Sequence, residues 1–482
     1  MSATEKMKPT TLILITMLSF AYLCGCHTSQ TEVQYNDTLP VAAAGYVGLQ
    51  GNHFVIDGKD WFPLMLNYKA FIDGDHVVPA SWYTGDDIRA HFDTIASWGF
   101  NAVRVCLDVI SEGDSTAKFM ATRRMVQQAD SAGLRVMLLI KTPFEPYWQN
   151  YTKGLLRHLS DLPALWAYDF MNEPLYFDPV PDRKKTDALR IVSEWRRWMR
   201  TYAPHQLFTI GFAEPIEVFE WDPSLLPVDF IEMHTYHPLR VQAEMWWYSH
   251  YCGKPWMVGE TGLPADDHSV SFIDQSRFMW ETYHYANING AIGYGWWEFQ
   301  DYPDGVNFEA QYTGLRDHNG HRKPAANVAT LLREACQGGM ADDNLMPPAN
   351  YYNMLAYGNV AAYGNIVDDH NRPVEGAVVR GWNQDWSVGV NSYSDSTGHF
   401  RLVSNDICTH FEISAPGYST TKFNKRLAYP ANLILPSRTR EYQQIPLLGW
   451  GDSNHILPAK TKQFEASTAV EAPIGKVTLK RL

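Results

Sequence analysis

The stretch "YDFMNEPL", residues 168–175, ends a strand-like run in an amide, a carboxylate and a proline. The run from Leu165 to Met171 consists of strand-forming residues and has the pattern of a buried strand. Burying a carboxylate without a partner is costly. Glu173 is therefore predicted either to lie at an exposed strand end or to belong to a site that uses its charge.

Seven further runs of this kind lie between about residue 50 and residue 338 and alternate with longer amphipathic stretches. In chain order the eight candidate strands read FPLML, NAVRVCL, RVMLLI, WAYDFM, LFTIGF, DFIEMH, WMVGE and AIGYGWW. Helices are predicted over Asp187–Tyr202, from its apolar spacing, and over Ser269–Ala286, after the polar segment ADDHS. Eight such repeats predict an α/β fold with a closed (β/α)8 TIM barrel, and no glycine-rich nucleotide motif follows the early strands.

Polar side chains recur where the candidate strands end, and in a TIM barrel these ends form the catalytic mouth. The residues at these ends are Arg104, Asn172, Glu173, His234, Tyr236, Glu260, Trp296 and Trp297. The two tryptophans point to opposite faces of their strand, and Trp296 is predicted to face the substrate. Aromatic residues on the predicted rim loops are further candidates for contacting substrate, namely Trp148, Tyr147, Tyr302 and Phe308.

Two glutamates at the ends of the fourth and seventh strands are the groups that glycosidic cleavage requires. Glu173 is predicted to act as acid and base, and Glu260 as the nucleophile. A separation of about 5–5.5 Å between the carboxyl groups predicts retention of configuration, and about 6.5–9.5 Å predicts inversion.

The barrel segment resembles glycoside hydrolase clan A, and within it the cellulase and mannanase family, family five. The motifs that carry the resemblance are, in chain order, WAYDFMNEP, HTYHP, MVGETG, GWWEFQD and GLRDHNGHRKPA, and this is also their order in the clan. The third strand ends in KTPFEPYW, which lacks the histidine of family five, and WEFQD is also similar to the clan's family two. The resemblance implies hydrolysis of a β-linked glycan by two glutamates without a metal or an organic cofactor.

The resemblance also implies a role for each neighbour of the two glutamates. Arg104 and Tyr236 would hold the Glu260 carboxylate ionised, Asn172 would bind the sugar 2-hydroxyl, and His234 would orient the acid or the substrate. Arg104 has a structural alternative, an ion pair inside the barrel with Glu232, and both can hold at once.

The composition changes after Cys336. A segment rich in glycine, proline and aspartate, residues 339–357, reads as a linker, and short β runs with turn residues predict a small all-β sandwich over residues 358–482. Its motifs, Pro373–Ala377, DSTGHFRL and ISAPGY, resemble the carboxypeptidase-regulatory-like, transthyretin-type domain. This resemblance implies an accessory module without chemistry of its own.

The N-terminus predicts export. Lys6 and Lys8 precede an apolar run that is too short to span a bilayer and typical of a signal peptide over residues 1–25. The run ends in LCGC, which resembles a bacterial lipobox with Cys26 as the lipidated residue, and an ordinary cleavage site is the alternative. Residues 26–46 would tether the barrel, residues 47–338, to a bacterial membrane at the cell surface or in the periplasm.

Charge and cysteine usage limit the partners. A formal charge of −13 argues against nucleic acid and against an anionic membrane surface, so the lipid anchor is the predicted membrane contact. The spacing of Cys106, Cys252, Cys336 and Cys408 fits no structural zinc site and predicts isolated thiols, although export permits a disulfide.

Three functions fit these features. The first is a retaining β-glycoside hydrolase acting on a polysaccharide or oligosaccharide of the mannan or glucan type. The second is a surface glycan-binding protein whose catalysis has lapsed, and the third is a transglycosylase that uses the same glutamates. The presence of both glutamates favours an enzyme over a binding protein.

Overall fold

A computed structural model of the chain describes residues 43–80, 87–109, 114–238, 240–302, 304–338, 360–386, 388–404, 406–429 and 470–482. The predicted signal peptide, Cys26, most of the tether and the predicted linker lie outside these residues. Within them, no helix has both the length and the apolar character needed to cross a membrane. Cys106, Cys252 and Cys408 are free thiols.

Eight parallel strands form a closed barrel, as predicted from the eight apolar runs. The strands are β4 (Leu64–Asp73), β6 (Ala102–Val109), β7 (Arg135–Leu139), β8 (Leu165–Asn172), β9 (Leu207–Phe212), β10 (Ile231–His234), β11 (Trp256–Glu260) and β12 (Tyr294–Trp296). Each pairs with its neighbour in this order, and the pairing of β12 with β4 closes the ring. Their carboxyl ends therefore meet at one rim.

Helices surround the barrel. They are α1 (Ile88–Ser97), α2 (Ser115–Ser131), α3 (Pro146–Leu159), α4 (Pro174–Phe177), α5 (Lys185–Tyr202), α6 (Val241–Tyr251), α7 (Phe272–Ile288), α8 (Phe308–Tyr312) and α9 (Ala325–Gly338), with a 3-10 helix at Pro215–Phe219. The two predicted helices are confirmed as α5 and α7. The Ser271 side chain caps α7 by accepting a hydrogen bond from the Asp274 amide, which explains its start at Phe272.

Four short antiparallel strands were not predicted. They are β1 (Val47–Gln50), β2 (His53–Ile56), β3 (Lys59–Trp61) and β5 (His76–Pro79). The first three form a small sheet whose Phe54 packs against Trp166 and Phe230, near the amino ends of barrel strands. This sheet covers the end of the barrel opposite the rim, and β5 pairs with the carboxyl half of β4.

The C-terminal part is a β-sandwich, as predicted. Its strands are β13 (Val360–Asp368), β14 (Val378–Trp382), β15 (Gly389–Tyr393), β16 (His399–Ser404), β17 (His410–Ser414), β18 (Thr421–Asn424) and β19 (Val470–Leu479). One sheet has the order β16-β13-β19, with β13 and β19 parallel, and the other has the order β15-β14-β17-β18. The second sheet also packs on the barrel, because Val378 and Tyr393 belong to the core cluster of the barrel.

Candidate active site

Strand β8 ends at the rim, and Glu173 lies directly after its last residue. Asn172 is the last strand residue, and Glu173 follows with a left-handed φ of 41° before α4 begins at Pro174. The Glu173 amide donates to the Gly211 carbonyl at 2.7 Å, which holds this turn. A non-glycine residue in this conformation costs roughly 1–3 kcal/mol, a strain that clusters at functional sites. The Glu173 side chain is 17% exposed, so its carboxyl group opens into the mouth.

Glu260 ends strand β11 on the other side of the same mouth. One of its carboxylate oxygens accepts a hydrogen bond from Arg104 Nη1, and the other accepts a hydrogen bond from the Tyr236 hydroxyl. The sequence predicted both neighbours, and the structure brings all three side chains together.

Arg104 lies fully buried at the centre of the network. Its guanidinium donates to Asp169 Oδ2 at 2.6 Å and to Asn172 Oδ1 at 2.8 Å. It also forms an ion pair with Glu232 Oε1 at 2.9 Å, so the structural alternative for Arg104 holds together with its contact to Glu260. Because Arg104 occupies the Asn172 carbonyl oxygen, the amide NH2 group of Asn172 is the donor that remains for a ligand.

His234 lies between the two glutamates. Its Nδ1 is 3.0 Å from Glu173 Oε1 and 3.6 Å from Glu260 Oε1. Burial opposes a charge on this ring, but Glu260, Glu173 and Glu232 together raise the pKa of His234 to about 10. His234 therefore carries a positive charge at neutral pH and donates its hydrogen bond to Glu173.

The two glutamates have pKa values displaced in opposite directions. Burial raises the pKa of the Glu173 carboxyl above its usual value, and the hydrogen bond from His234 only partly opposes this rise. Burial acts in the same direction on Glu260, but the charges of His234 and Arg104 and the Tyr236 hydrogen bond hold the pKa of Glu260 below its usual value. One carboxyl group is thus suited to hold a proton while the other stays ionised.

The glutamates line a cavity of about 390 Å³ together with Tyr176, Glu214, Arg240 and other rim residues. A second cavity, of about 590 Å³, adjoins it and is lined by Trp148, Lys69 and Lys141 among others. Asn172, Phe177 and Trp297 line both cavities. The mouth is therefore one cleft with two lobes, and both glutamates line the first lobe.

The prediction that Trp296 faces the substrate is wrong. Trp296 is fully buried, its ring lies 6.4 Å from the Phe278 ring of α7, and its Nε1 donates to the Thr313 carbonyl. Trp297 is half-buried and lines both lobes of the cleft. The strand points residue 296 toward the helix layer and residue 297 toward the cleft, where the Lys69 ammonium lies 4.7 Å from the Trp297 ring centroid.

Three of the four rim aromatics lie on helices and not on loops. Trp148 lines the second lobe from helix α3, and Phe308 is the first residue of α8. The Tyr302 ring lies 4.3 Å from the Lys69 ammonium, and Tyr147 is exposed.

Several lining residues were missed by the sequence analysis, among them Lys69, Tyr176, Glu214, Arg240 and Glu309. Lys69 was missed because the predicted first strand stopped at Leu66, whereas β4 continues to Asp73. Tyr176 follows directly after the Asn-Glu-Pro motif, so its proximity to Glu173 was a usable signal.

The rim also offers three groups with the geometry of metal ligands. Glu173, His234 and Glu260 each present one ligand atom, and these atoms lie within 4.8 Å of one another. A metal ion would need His234 without its proton, and the raised pKa of about 10 opposes this loss at neutral pH. The charge on His234 already supplies the positive countercharge between the carboxylates.

No protein-family profile and no curated protein matches the chain. Solved structures with a similar fold include the exo-β-1,4-mannosidase Op5Man5 from Opitutaceae bacterium strain TAV5, at 18% identity over 64% of this chain and 69% of that chain, with a TM-score of 0.49. GH5_18 from Bifidobacterium longum subsp. longum ATCC 55813 is 16% identical over 64% and 85% of the two chains, with a TM-score of 0.43. The β-mannanase from the blue mussel Mytilus edulis is 15% identical over 60% and 96%, with a TM-score of 0.38. Likenesses this distant carry no argument about activity, and the assignment of a barrel rests on the strand pairing of this chain.

Proposed function

We propose that the chain is a glycoside hydrolase that cleaves a β-linked glycan of the mannan or glucan type with retention of configuration. The observation that carries the proposal is the pair Glu173 and Glu260, which face one cleft and have pKa values displaced in opposite directions. Their nearest oxygens lie within 4.8 Å, which favours direct attack by a carboxylate over attack by a water held between the two groups.

The first step transfers the glycosyl group to the enzyme. Glu173 donates its proton to the glycosidic oxygen, the bond from this oxygen to the anomeric carbon breaks, and the Glu260 carboxylate forms a covalent bond to the same carbon. The leaving chain departs as an alcohol.

The second step returns the enzyme to its starting state. Esterification removes the charge of Glu260, and the Glu173 carboxylate then takes a proton from water as the water oxygen attacks the anomeric carbon. This attack displaces Glu260 as a carboxylate. Two inversions at one carbon give net retention.

The neighbouring residues support both steps in this proposal. Arg104 and Tyr236 stabilise Glu260 as an anion and as a leaving group, because both donate to its carboxylate. The free NH2 group of Asn172 would bind the sugar hydroxyl next to the anomeric carbon. His234 positions Glu173 through its hydrogen bond of 3.0 Å.

The test is the release of reducing sugar by the full chain from β-1,4-mannan, mixed-linkage β-glucan, cellulose oligosaccharides and xylan. Glu260→Ala is expected to lower the rate by roughly 10³-fold or more. Glu194→Ala, on the exposed face of α5, is the matched control and is expected to leave the rate unchanged. A folded wild-type chain that releases sugar from none of these glycans would contradict the proposal.

A second variant separates the roles of the two glutamates. Glu173→Ala is expected to retain glycosyl transfer from an aryl glycoside whose leaving group needs no protonation, whereas Glu260→Ala loses it. Proton NMR of the first product formed should show the β-anomer. Initial release of the α-anomer would demand inversion and would exclude Glu260 as nucleophile.

We also propose, from the N-terminal sequence, that the chain is exported and anchored through a lipid on Cys26. Metabolic labelling with a radioactive fatty acid should mark the wild-type chain and not Cys26→Ser. Equal labelling of both would contradict anchoring at this residue.

A further inference from the structure

The β-sandwich carries a stack of aromatic rings at one end of strand β14. The Trp382 and Trp386 rings are stacked with centroids 4.7 Å apart and an interplanar angle of 15°, and His410 stacks on Trp382 at 5.5 Å. Trp382 is 5% exposed, whereas Trp386 is 43% exposed. An exposed indole of this size, supported from below by a second indole, needs an explanation.

The Trp386 ring stacks on Trp382 by one face and is partly exposed. Arg380 Cζ lies 5.0 Å from the Trp386 centroid and 6.0 Å from the Trp382 centroid. If the Arg380 guanidinium lay on the outer face of Trp386, its distance from the Trp382 centroid would be much greater than 6.0 Å, because the two rings are already 4.7 Å apart. The guanidinium therefore lies beside the stack, and among the described residues no ring or cation stacks on the outer face of Trp386, which is 43% exposed.

The backbone holds this indole in a strained position. Trp386 has a φ of 58°, an outlier for a bulky residue. Its amide donates to the Asn383 carbonyl at 3.2 Å, and the Asn383 side chain accepts from the Val388 amide at 3.1 Å. Strain of this kind persists only where the surrounding contacts impose it, and it is common at ligand sites.

The stack lies on the sheet face that packs on the barrel. Val378, Arg380 and Trp382 alternate along β14 and share one face, and Val378 is part of the barrel core cluster. Strand β14 also contacts the 3-10 helix that begins at Pro215, next to Glu214 of the active-site cleft. The face thus runs from the rim of the barrel outward to the tryptophans.

The rim at this point is the side of the cleft on which Glu173 lies. The Tyr176 hydroxyl donates to Glu214 Oε2 at 2.9 Å, and the Tyr176 amide donates to the Glu173 carbonyl at 2.9 Å. Because Glu173 protonates the leaving oxygen, the leaving part of the glycan lies on this side.

We propose that Trp386 and Arg380 form a distal subsite for sugar rings on the leaving-group side of the glycan that occupies the cleft. The outer indole face stacks on the apolar face of a sugar ring, and the guanidinium beside it donates hydrogen bonds to ring hydroxyls. The inference rests on the proposed function, because continuity with the cleft identifies the occupant as the same glycan.

The first test measures binding without turnover. The two proteins compared are the full chain with Glu260→Ala and the same chain with Trp386→Ala added. Isothermal titration calorimetry measures the affinity of each for β-1,4-mannohexaose and for cellohexaose. Loss of stacking is expected to weaken binding of the preferred hexaose by roughly 5- to 10-fold. Trp386→Phe is expected to recover most of this loss, and binding of the corresponding disaccharide, which covers only the rings next to the cleaved bond, is expected to stay unchanged.

Tyr363→Ala is the matched control, because Tyr363 is a half-buried aromatic on the outer face of the other sheet of the sandwich. It is expected to bind the hexaose like its parent. Unchanged hexaose affinity in Trp386→Ala, equal losses for hexaose and disaccharide, or no binding of either hexaose would overturn the subsite.

The turnover assay distinguishes this failure from failure of the proposed function. A wild-type chain that hydrolyses the polymer while Trp386→Ala has the same kcat/KM overturns only the subsite. A chain that binds hexaose through Trp386 without hydrolysing it keeps the subsite and overturns the proposed hydrolase.

Discussion

At the residue scale, two adjacent tryptophans provide a matched pair of variants. Trp297→Ala is expected to lower kcat/KM for the glycan at least 10-fold with a small change in melting temperature, because its ring lines the cleft. Trp296→Ala is expected to lower the free energy of unfolding by about 3–5 kcal/mol, because it empties a fully buried site. Steady-state kinetics on both variants measure kcat/KM, and calorimetry measures the melting temperature and the free energy of unfolding.

The opposite pattern, with activity lost in folded Trp296→Ala and kept in Trp297→Ala, would restore the prediction that Trp296 faces the substrate.

The strand itself contained a signal that Trp297, and not Trp296, faces the cleft. Gly295 has no room for a side chain, since a Cβ there would lie 2.2 Å from the Gly259 carbonyl oxygen of the neighbouring strand. Residue 297 shares the parity of this inward position, whereas Tyr294 and Trp296 point to the helices.

The charge on His234 predicts a change in the pH profile. Activity requires an ionised Glu260, which sets the acidic limb, and a protonated Glu173, which sets the alkaline limb. Protonated His234 stabilises both carboxylates, so His234→Asn is expected to raise both pKa values and move both limbs of kcat/KM to higher pH. His250→Asn, an exposed histidine of α6, is the control and should leave the profile in place.

A His234→Asn profile with lower activity but unchanged limbs would mean that the histidine acts by position alone. A shift to lower pH would contradict a positive charge at this site.

At the scale of the elements, the eight barrel strands were predictable because each is a run of apolar residues buried on both faces. The strands β1, β2, β3 and β5 were not, because they are only three or four residues long and partly exposed. The two cleft glutamates, Glu173 and Glu260, were predictable from their place at strand ends. The shape of the cleft was not predictable, because it depends on the course of the segments that follow the strands, such as those that carry Tyr176 and Glu214.

Strand β9 supports the site through a glycine. A Cβ on Gly211 would lie 2.7 Å from His234 Cε1 and 3.1 Å from Asp169 Oδ2. Gly211→Ala is therefore expected to displace His234, to lower kcat/KM by at least 10-fold and to destabilise the fold by about 1–3 kcal/mol. Kinetics and thermal melting measure the two effects on one preparation.

The control for this variant is Gly381→Ala in strand β14, where a Cβ would lie 2.4 Å from Leu402 Cδ2 in the sandwich core. It is expected to lower the melting temperature and to keep kcat/KM for a short aryl glycoside. If both glycine variants lost activity equally, crowding would act through stability and not through His234.

At the scale of the whole molecule, the barrel and the sandwich are joined by buried polar contacts. Asp222 Oδ2 accepts from Lys185 Nζ at 2.9 Å and from the Gly417 amide at 2.9 Å, and Lys185 also donates to the Ala415 carbonyl at 3.1 Å. Lys185 and Asp222 belong to the barrel, whereas Ala415 and Gly417 belong to the sandwich. The sequence predicted an accessory module at the C-terminus and did not anticipate this docking.

The docking predicts that the two parts unfold together in one calorimetric transition. Asp222→Ala leaves the buried Lys185 ammonium without its countercharge, at an expected cost of about 3–5 kcal/mol, and removes the acceptor of the Gly417 amide. We expect this variant to unfold in two transitions. Lys422→Ala, which breaks an exposed pair with Asp182, should keep one transition within about 0.5 kcal/mol of wild type.

The double variant Lys185→Met with Asp222→Ala separates the cost of an unpaired charge from the loss of docking. Removing both charges should restore the melting temperature of the barrel, because no buried ion is left alone. The sandwich should still melt separately, because Ala415 and Gly417 have lost their partners on the barrel. A single transition in the double variant would show that the apolar contacts of Val378 and Tyr393 are enough to couple the two parts. The distal subsite at Trp386 depends on this coupling, since it reaches the same glycan as Glu173 only while the sandwich stays docked.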